Sequence, residues 1–267
     1  MSIDTPQSMS EPTNVTVPFD LQEHFLNADA VLRARMSGQP LPPLRLRNGQ
    51  IVHHAPVDPV LELYNEIFVH RVYTLPTFYS PSSNDTVVDC GANIGVCALH
   101  LSHLAPGIRI YCFEPCTDTS DRLRANVIAN GLQDRVAIFP LALWDSHVTR
   151  ELTVVAGSNA ASLHLSSETS PRIRQTVPCI TLSTALSFCS SRHVDLLKID
   201  AEGAELEILQ GAATLDWDRV RRVAVEYHGF LRPRCALEVL SLLASYGFSN
   251  IYLEGLHSDL GLITATR

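Results

Sequence analysis

Residues 87–95 read VVDCGANIG, and how these nine letters are read decides the fold. Two β-branched residues, which favour a pleated and buried strand, lead into Asp89. Gly91 and Gly95 follow, four apart, and glycine is the residue that admits the left-handed backbone of a tight turn. Residues 94–104 then carry a helical pattern. The stretch is a strand, a glycine turn and the start of a helix.

Downstream the alternation repeats. IRIYCFE reads as a strand, and 117–130 as a helix stopped by Gly131. RVAIFPLAL reads as one strand and RELTVVAG as an edge strand, while QTVPCITL precedes a short helix over 182–190. VDLLKID is a strand, 202–210 a helix ended by Gly211, VRRVAVEYH a strand and 234–246 a helix. FSNIYLEG and GLITATR close the chain as a hairpin. Strands alternating with helices, several as continuous apolar runs, predict an α/β fold. Its doubly wound sheet is mostly parallel, covered on both faces, and made mixed by the antiparallel hairpin.

Upstream the pattern differs. Half of the sixteen prolines precede residue 60. Residues 1–18 are polar and are expected to form a disordered tail. Leu21, Phe25, Leu26, Val31 and Leu32 predict an amphipathic helix over 20–37. A proline linker and a hairpin around Asn48-Gly49 follow, with His53 and His54 in its second strand pointing to opposite faces. PVLELYNEIFVHRVY is helical. The expected organisation is a tail (1–18), a helix and hairpin extension (19–59), and one large domain (60–267).

Composition narrows the partners. The 267 residues are 46% hydrophobic and 18% charged, with a net charge of −8. Acidity argues against nucleic acid as a partner. No apolar run is long enough to cross a bilayer, so no membrane association is expected. The N-terminus lacks a basic start and an apolar core, so a cytoplasmic location is expected. Seven cysteines, an odd number in mostly apolar segments, predict buried thiols rather than disulfides, and none has zinc-like spacing.

In doubly wound sheets, ligands sit beyond the C-terminal strand ends at the switch point. The turn lies there, and the next strand ends in Glu114, placed to accept both hydroxyls of a ribose. A dinucleotide turn would need a glycine where Asn93 stands. Asp89, read as lying at the mouth of the turn, would repel phosphate and suit a cation. An adenosine joined to an ammonium and a sulfonium fits: S-adenosylmethionine. A nicotinamide-dependent oxidoreductase and a non-catalytic binding module stay open as alternatives.

VVDCGANIG, YCFEP, ANVIANGL, LALWD, LLKIDAEGAELEILQGA and VAVEYH together resemble the FkbM-type methyltransferases, from about residue 60 onward. In KIDAEGAELEIL, Ala201 stands where that family usually has Val. The resemblance implies a Rossmann-like, seven-stranded sheet whose last strand is antiparallel. It also implies S-adenosylmethionine-dependent O-methylation of a small hydroxylated acceptor, a sugar or a polyketide-like natural product. By position, Asp89, Gly91, Ala92, Asn93 and Gly95 would form the wall beside the methionine and ribose, and Glu114 would bind the ribose. Ala142 and Leu143, at the end of the third strand, would flank the adenine. Glu66 and Tyr73 would belong to a segment covering the cofactor.

A second cluster bears on the chemistry. Asp200 ends a strand, and Glu202 and Glu205 are expected on one face of the next helix, where acids also suit the helix dipole. Glu226 and His228 are two apart on a strand and point the same way. His228, titrating near neutral pH, is the best candidate base, with Asp200 as base or acceptor-orienting group. Alternatively Asp200, Glu226 and His228 could bind a divalent metal, although histidine suits magnesium poorly. Residues 156–170, with His164, are expected to form a substrate lid.

Overall fold

Strand β3 (Thr86–Cys90), the VVDC segment, is an interior strand of a seven-stranded sheet. In this computed structural model the described residues are 19–155, 161–163, 172–257 and 259–267. The tail at 1–18, His164 and most of the expected lid lie outside them. The extension comprises α1 (Leu21–His24), α2 (Ala28–Met36), β1 (Leu44–Arg45) and β2 (Ile51–Val52). Next comes α3 (Val60–Tyr64), which runs into a π-type turn over Asn65–Val69.

After β3 follow α4 (Val96–Leu104), β4 (Arg109–Phe113), α5 (Thr117–Ala129), β5 (Val136–Phe139), β6 (Ala142–Trp144), β7 (Val148–Val155), β8 (Ala161–Ser162) and β9 (Arg172–Thr181). The last third holds α6 (Leu182–Ser187), β10 (Leu196–Ile199), α7 (Glu205–Gln210), β11 (Arg222–His228), α8 (Cys235–Ser245), β12 (Asn250–His257) and β13 (Leu260–Thr266).

The large sheet has the order β12-β13-β11-β10-β3-β4-β5. All neighbours are parallel except β13, which runs antiparallel between β11 and β12. The expected mixed sheet is present. Its order reverses between β3 and β10, which places the switch point at the ends of VVDC and LLKI. Alternate residues serve two cores. Val88, Tyr111 and Leu197 pack on one face, and Val87, Ile110 and Leu196 on the other, as strands buried on both sides require.

Several elements differ from the sequence reading. RVAIFPLAL is two strands, because Pro140 lacks the N–H a ladder needs. β5 ends the large sheet, and β6 starts a second sheet of order β6-β9-β7-β8. The helix expected over 20–37 is broken because Phe25 is buried and bridges Leu46 of the hairpin. Asn27 likewise bonds both Arg45 N and Pro43 O, so Leu26 and Leu32 are left exposed. His53 and His54 follow β2 rather than lie in it. The helix after β9 ends at Ser187. The seven cysteines are free and buried.

The extension is docked by two asparagines of the α5 region. Asn126 accepts from His53 N at 2.6 Å and donates to His53 O at 2.9 Å. Asn130 does the same for Ile51, at 2.8 and 2.7 Å. Each amide stands in for a strand neighbour, satisfying backbone groups that would otherwise be buried unpaired.

Candidate active site

A cavity partly open to solvent lies at the C-terminal ends of β3, β4 and β10. Cys90, Gly91, Asn93 and Glu114 line one side, and Asp200 and Glu202 the other. Apolar residues of the second sheet, including Leu141, Ala142, Leu143 and Leu163, close it. Ala142 and Leu143, expected beside the cofactor, are part of this apolar lining. They reach it from β6 of the second sheet, not from the third strand of the large one. Ser162 on β8 donates to Glu202 O at 2.6 Å, pinning the second sheet across the cavity.

The turn is shaped by backbone. Gly91 and Gly95 have φ of +74° and +87°. A Cβ on Gly91 would lie 1.7 Å from Asp200 O, and one on Gly95 would lie 2.3 Å from Leu123 Cδ1. Gly91 is thus the point where the glycine turn touches the strand end that carries Asp200. Ala92 is buried beneath the turn. Glu114 is buried, and its two oxygens accept from Asn93 N and Cys116 N, each at 2.9 Å. Burial pushes its carboxyl up to about 7 against these two bonds. Each oxygen keeps a further acceptor site, which is what a ribose diol requires.

Asp89 does not lie at the mouth of the turn. It is fully buried, and its Oδ1 is 3.0 Å from Lys198 Nζ, its direct neighbour across the β3–β10 ladder. Lys198 is only 3% exposed. It donates to Gly91 O at 2.9 Å and lies 3.5 Å from Asp200 Oδ2. Burial opposes its charge, but Asp89 and Asp200 outweigh burial and hold the ammonium protonated. The sequence reading gave Lys198 no role. Its signal was available, since VVDC and LLKI each set one charge in an apolar strand, and the two charges are opposite.

On the far rim, α7 begins only at Glu205. Glu202 and Gly203 have φ of +49° and +102°, so Glu202 and Glu205 do not share a helix face. Glu205 is fully buried and accepts from Gly203 N at 2.9 Å and from His228 Nδ1 at 2.7 Å. His228 Nε2 faces Glu202 Oε2 at 3.7 Å and Asp200 Oδ1 at 3.9 Å. Burial would lower the His228 pKa, but the bond to Glu205 and the neighbouring carboxylates push it up to about 9. The expectation that it titrates near neutral therefore fails, and the imidazole is charged at pH 7.

Glu226 is half-buried and accepts from Tyr73 Oη at 3.1 Å. Burial, then the Asp200 and Glu66 carboxylates, push it up to about 8. Burial and Asp200 also raise Glu66. Tyr73 and Glu66 thus belong to the acid rim rather than to the lining of the cavity. Asp200, Glu226 and His228 do converge, each offering one ligand atom within 4.8 Å of the others.

The comparisons agree with this architecture. Residues 89–249 match the methyltransferase FkbM domain model. The 31-O-demethyl-FK506 methyltransferase FkbM of Streptomyces tacrolimicus is 31% identical over 236 residues, covering 77% of this chain and 88% of that protein. The methyltransferase sdnD of Sordaria araneosa is 27% identical, over 77% and 89%. The hexuronic acid methyltransferase AglP of Haloferax volcanii is 29% identical, over 59% and 62%. In fold, the chain resembles the crystal structure of methyltransferase FkbM from Methylobacillus flagellatus, with a TM-score of 0.50 and 17% identity. That likeness covers 77% of this chain and 54% of the other. Among the described residues no helix is long and apolar enough to cross a membrane. The chain belongs to the FkbM-type family of S-adenosylmethionine-dependent methyltransferases.

Proposed function

We propose that this enzyme transfers a methyl group from S-adenosylmethionine to a hydroxyl of a small molecule, a sugar or a polyketide-like natural product. The observation that carries the reading is the contact of Gly91 with Asp200, which sets a glycine turn suited to the donor against an acid rim suited to an alcohol. The names of two relatives, acting on a demethylated FK506 and on a hexuronic acid, support an oxygen-rich acceptor.

Bound S-adenosylmethionine supplies a methyl group on a sulfonium leaving group. Gly91 and Asn93 would present backbone to it, Glu114 would accept from the ribose, and Ala142 and Leu143 would enclose the adenine. Ala92 and Gly95 shape the turn. Asp89 acts at one remove, through Lys198 on Gly91 O and Asp200. Asp200 would accept the proton of the acceptor hydroxyl as its oxygen takes the methyl group and the S–CH₃ electron pair returns to sulfur. His228, charged and oriented by Glu205, and Glu226, held by Tyr73, fix the acceptor oxygen by hydrogen bonds. Alignment of this kind lowers a barrier by up to about 7–11 kcal/mol, and a positioned base adds about 10²–10⁴-fold.

The test is calorimetric titration with S-adenosylmethionine, S-adenosylhomocysteine and NAD, followed by a turnover screen over hydroxylated sugars and macrolides. Binding of the first two and methyl transfer to oxygen are expected. Binding of NAD alone would point to an oxidoreductase, and donor binding with no turnover on any acceptor to a non-catalytic module.

A further inference from the structure

We propose that Asp200, Glu226 and His228 form a binding site for one first-row divalent cation of the Mn²⁺ or Zn²⁺ type. The proposal deepens the methyl-transfer reading and rests on it only for the role of the ion, not for its binding. Three observations carry it.

The first is convergence. One atom from each side chain lies within 4.8 Å of the other two. Ligands bound at about 2.0–2.2 Å sit roughly 3–4 Å apart, so side-chain rotations of about 1 Å close the site. The second is His228, which is 3% exposed. Its Nδ1 is committed to Glu205 at 2.7 Å. Its Nε2 points into the cluster, with carboxylate oxygens only at 3.7 and 3.9 Å, beyond hydrogen-bond range. A carboxylate behind the far nitrogen is how metal-binding imidazoles are oriented. The third is that the other two members are held from behind. Tyr73 Oη bonds Glu226 Oε2 at 3.1 Å, and Lys198 sits on Asp200 Oδ2 at 3.5 Å, leaving Asp200 Oδ1 toward the histidine.

One imidazole and two carboxylates suit manganese or zinc better than magnesium, which favours an all-oxygen octahedron. On binding, the Nε2 proton is released to solvent. An ion here lowers the pKa of a hydroxyl brought beside it. With the ion bound, Asp200 is engaged as a ligand, and Glu202, which lines the cavity, would take the acceptor's proton in place of Asp200.

The experiment uses untagged, metal-stripped full-length protein and calorimetric titration with Mn²⁺, Zn²⁺ and Mg²⁺. One equivalent of Mn²⁺ or Zn²⁺ should bind at least 10-fold tighter than Mg²⁺. His228→Ala and Glu226→Gln should each weaken binding 10-fold or more, and Glu205→Gln by about 10-fold, with folding checked by circular dichroism. His147→Ala, in the turn between β6 and β7 and beside Thr184, should leave binding unchanged. Absence of stoichiometric binding, or binding that survives both His228→Ala and Glu226→Gln, overturns the site. EDTA should abolish turnover and Mn²⁺ restore it; turnover indifferent to EDTA overturns the ion's catalytic role. S-adenosylmethionine titrated in EDTA tests the methyl-transfer reading separately, because loss of donor binding there leaves the metal result standing.

Discussion

The two walls of the cavity are built on opposite plans. On the donor side the work is done by backbone, and the charge beneath it is cancelled: Asp89 is matched by Lys198 across one ladder rung. On the acceptor side the work is done by side chains, and the charge is crowded. Burial and mutual repulsion raise Glu66, Glu202 and Glu226, while His228 and Lys198 are the cations beside Asp200. The donor wall has one shape because its geometry is steric. The acceptor wall is held by ionisation, so its state depends on pH and on what binds.

The donor wall should therefore break under small changes of volume. Gly91→Ala puts a Cβ 1.7 Å from Asp200 O in a left-handed residue. It should cost on the order of 3 kcal/mol or more in stability and more than about 100-fold in S-adenosylmethionine affinity, measured by denaturant melts and calorimetry. Lys198→Met leaves Asp89 buried without its partner and should cost roughly 3–5 kcal/mol. Adding Asp89→Asn to it should restore most of that loss. A double variant no more stable than Lys198→Met would show that the pair is not the source.

The acceptor wall should break in turnover instead. His228→Ala should lower kcat by about 100-fold through loss of acceptor alignment, with donor affinity changed by no more than about twofold. The pH dependence of the unliganded protein sharpens the contrast. Glu114 and Glu226 titrate at about 7 and about 8, above the ordinary 4.5. The folded chain thus keeps protons that the unfolded chain has lost, and stability falls as pH rises through this window. His228 adds to the trend: its contribution is complete below 6.5 and is lost as pH climbs through about 9. Tm should fall steadily from pH 5 to 9, and Glu226→Gln should flatten the part below pH 8. The smallest effect is expected far from both walls. Asn130→Ala should cost about 1–2 kcal/mol and leave donor affinity intact.

The strand, turn and helix at VVDCGANIG, and Glu114 after it, were legible because their signals are local. A β-branched run, two glycines and an acid before Pro115 each act within a few residues. The roles of Asp89, Lys198 and Glu205 were not, because each depends on a partner from another strand or helix. Asp89 alone resembles a ligand for a cation; only ladder register gives it a lysine. Glu205 alone resembles a dipole-compensating acid; only the approach of β11 gives it His228. The second sheet was hidden for a related reason. Pro140 marks a strand break that apolar periodicity runs straight through, and nothing near β6 announces that its neighbour is β9.

The asparagine rungs on β2 carry a geometric consequence. Four residues of helix advance about 6.0 Å, and two residues of strand about 6.8 Å. Helix and strand therefore act as the two scales of a vernier, apart by only about 0.8 Å at the second rung and by about 1.6 Å at a third added at the same pitch. Asn126 and Asn130 take the matched divisions, at His53 and Ile51. The next division falls at Gly49, where the chain has already turned away with φ of +90°. The length of the hairpin is thus set by the helix it lies against, and inserting two residues between Asn48 and Ile51 would lengthen the loop without adding a rung.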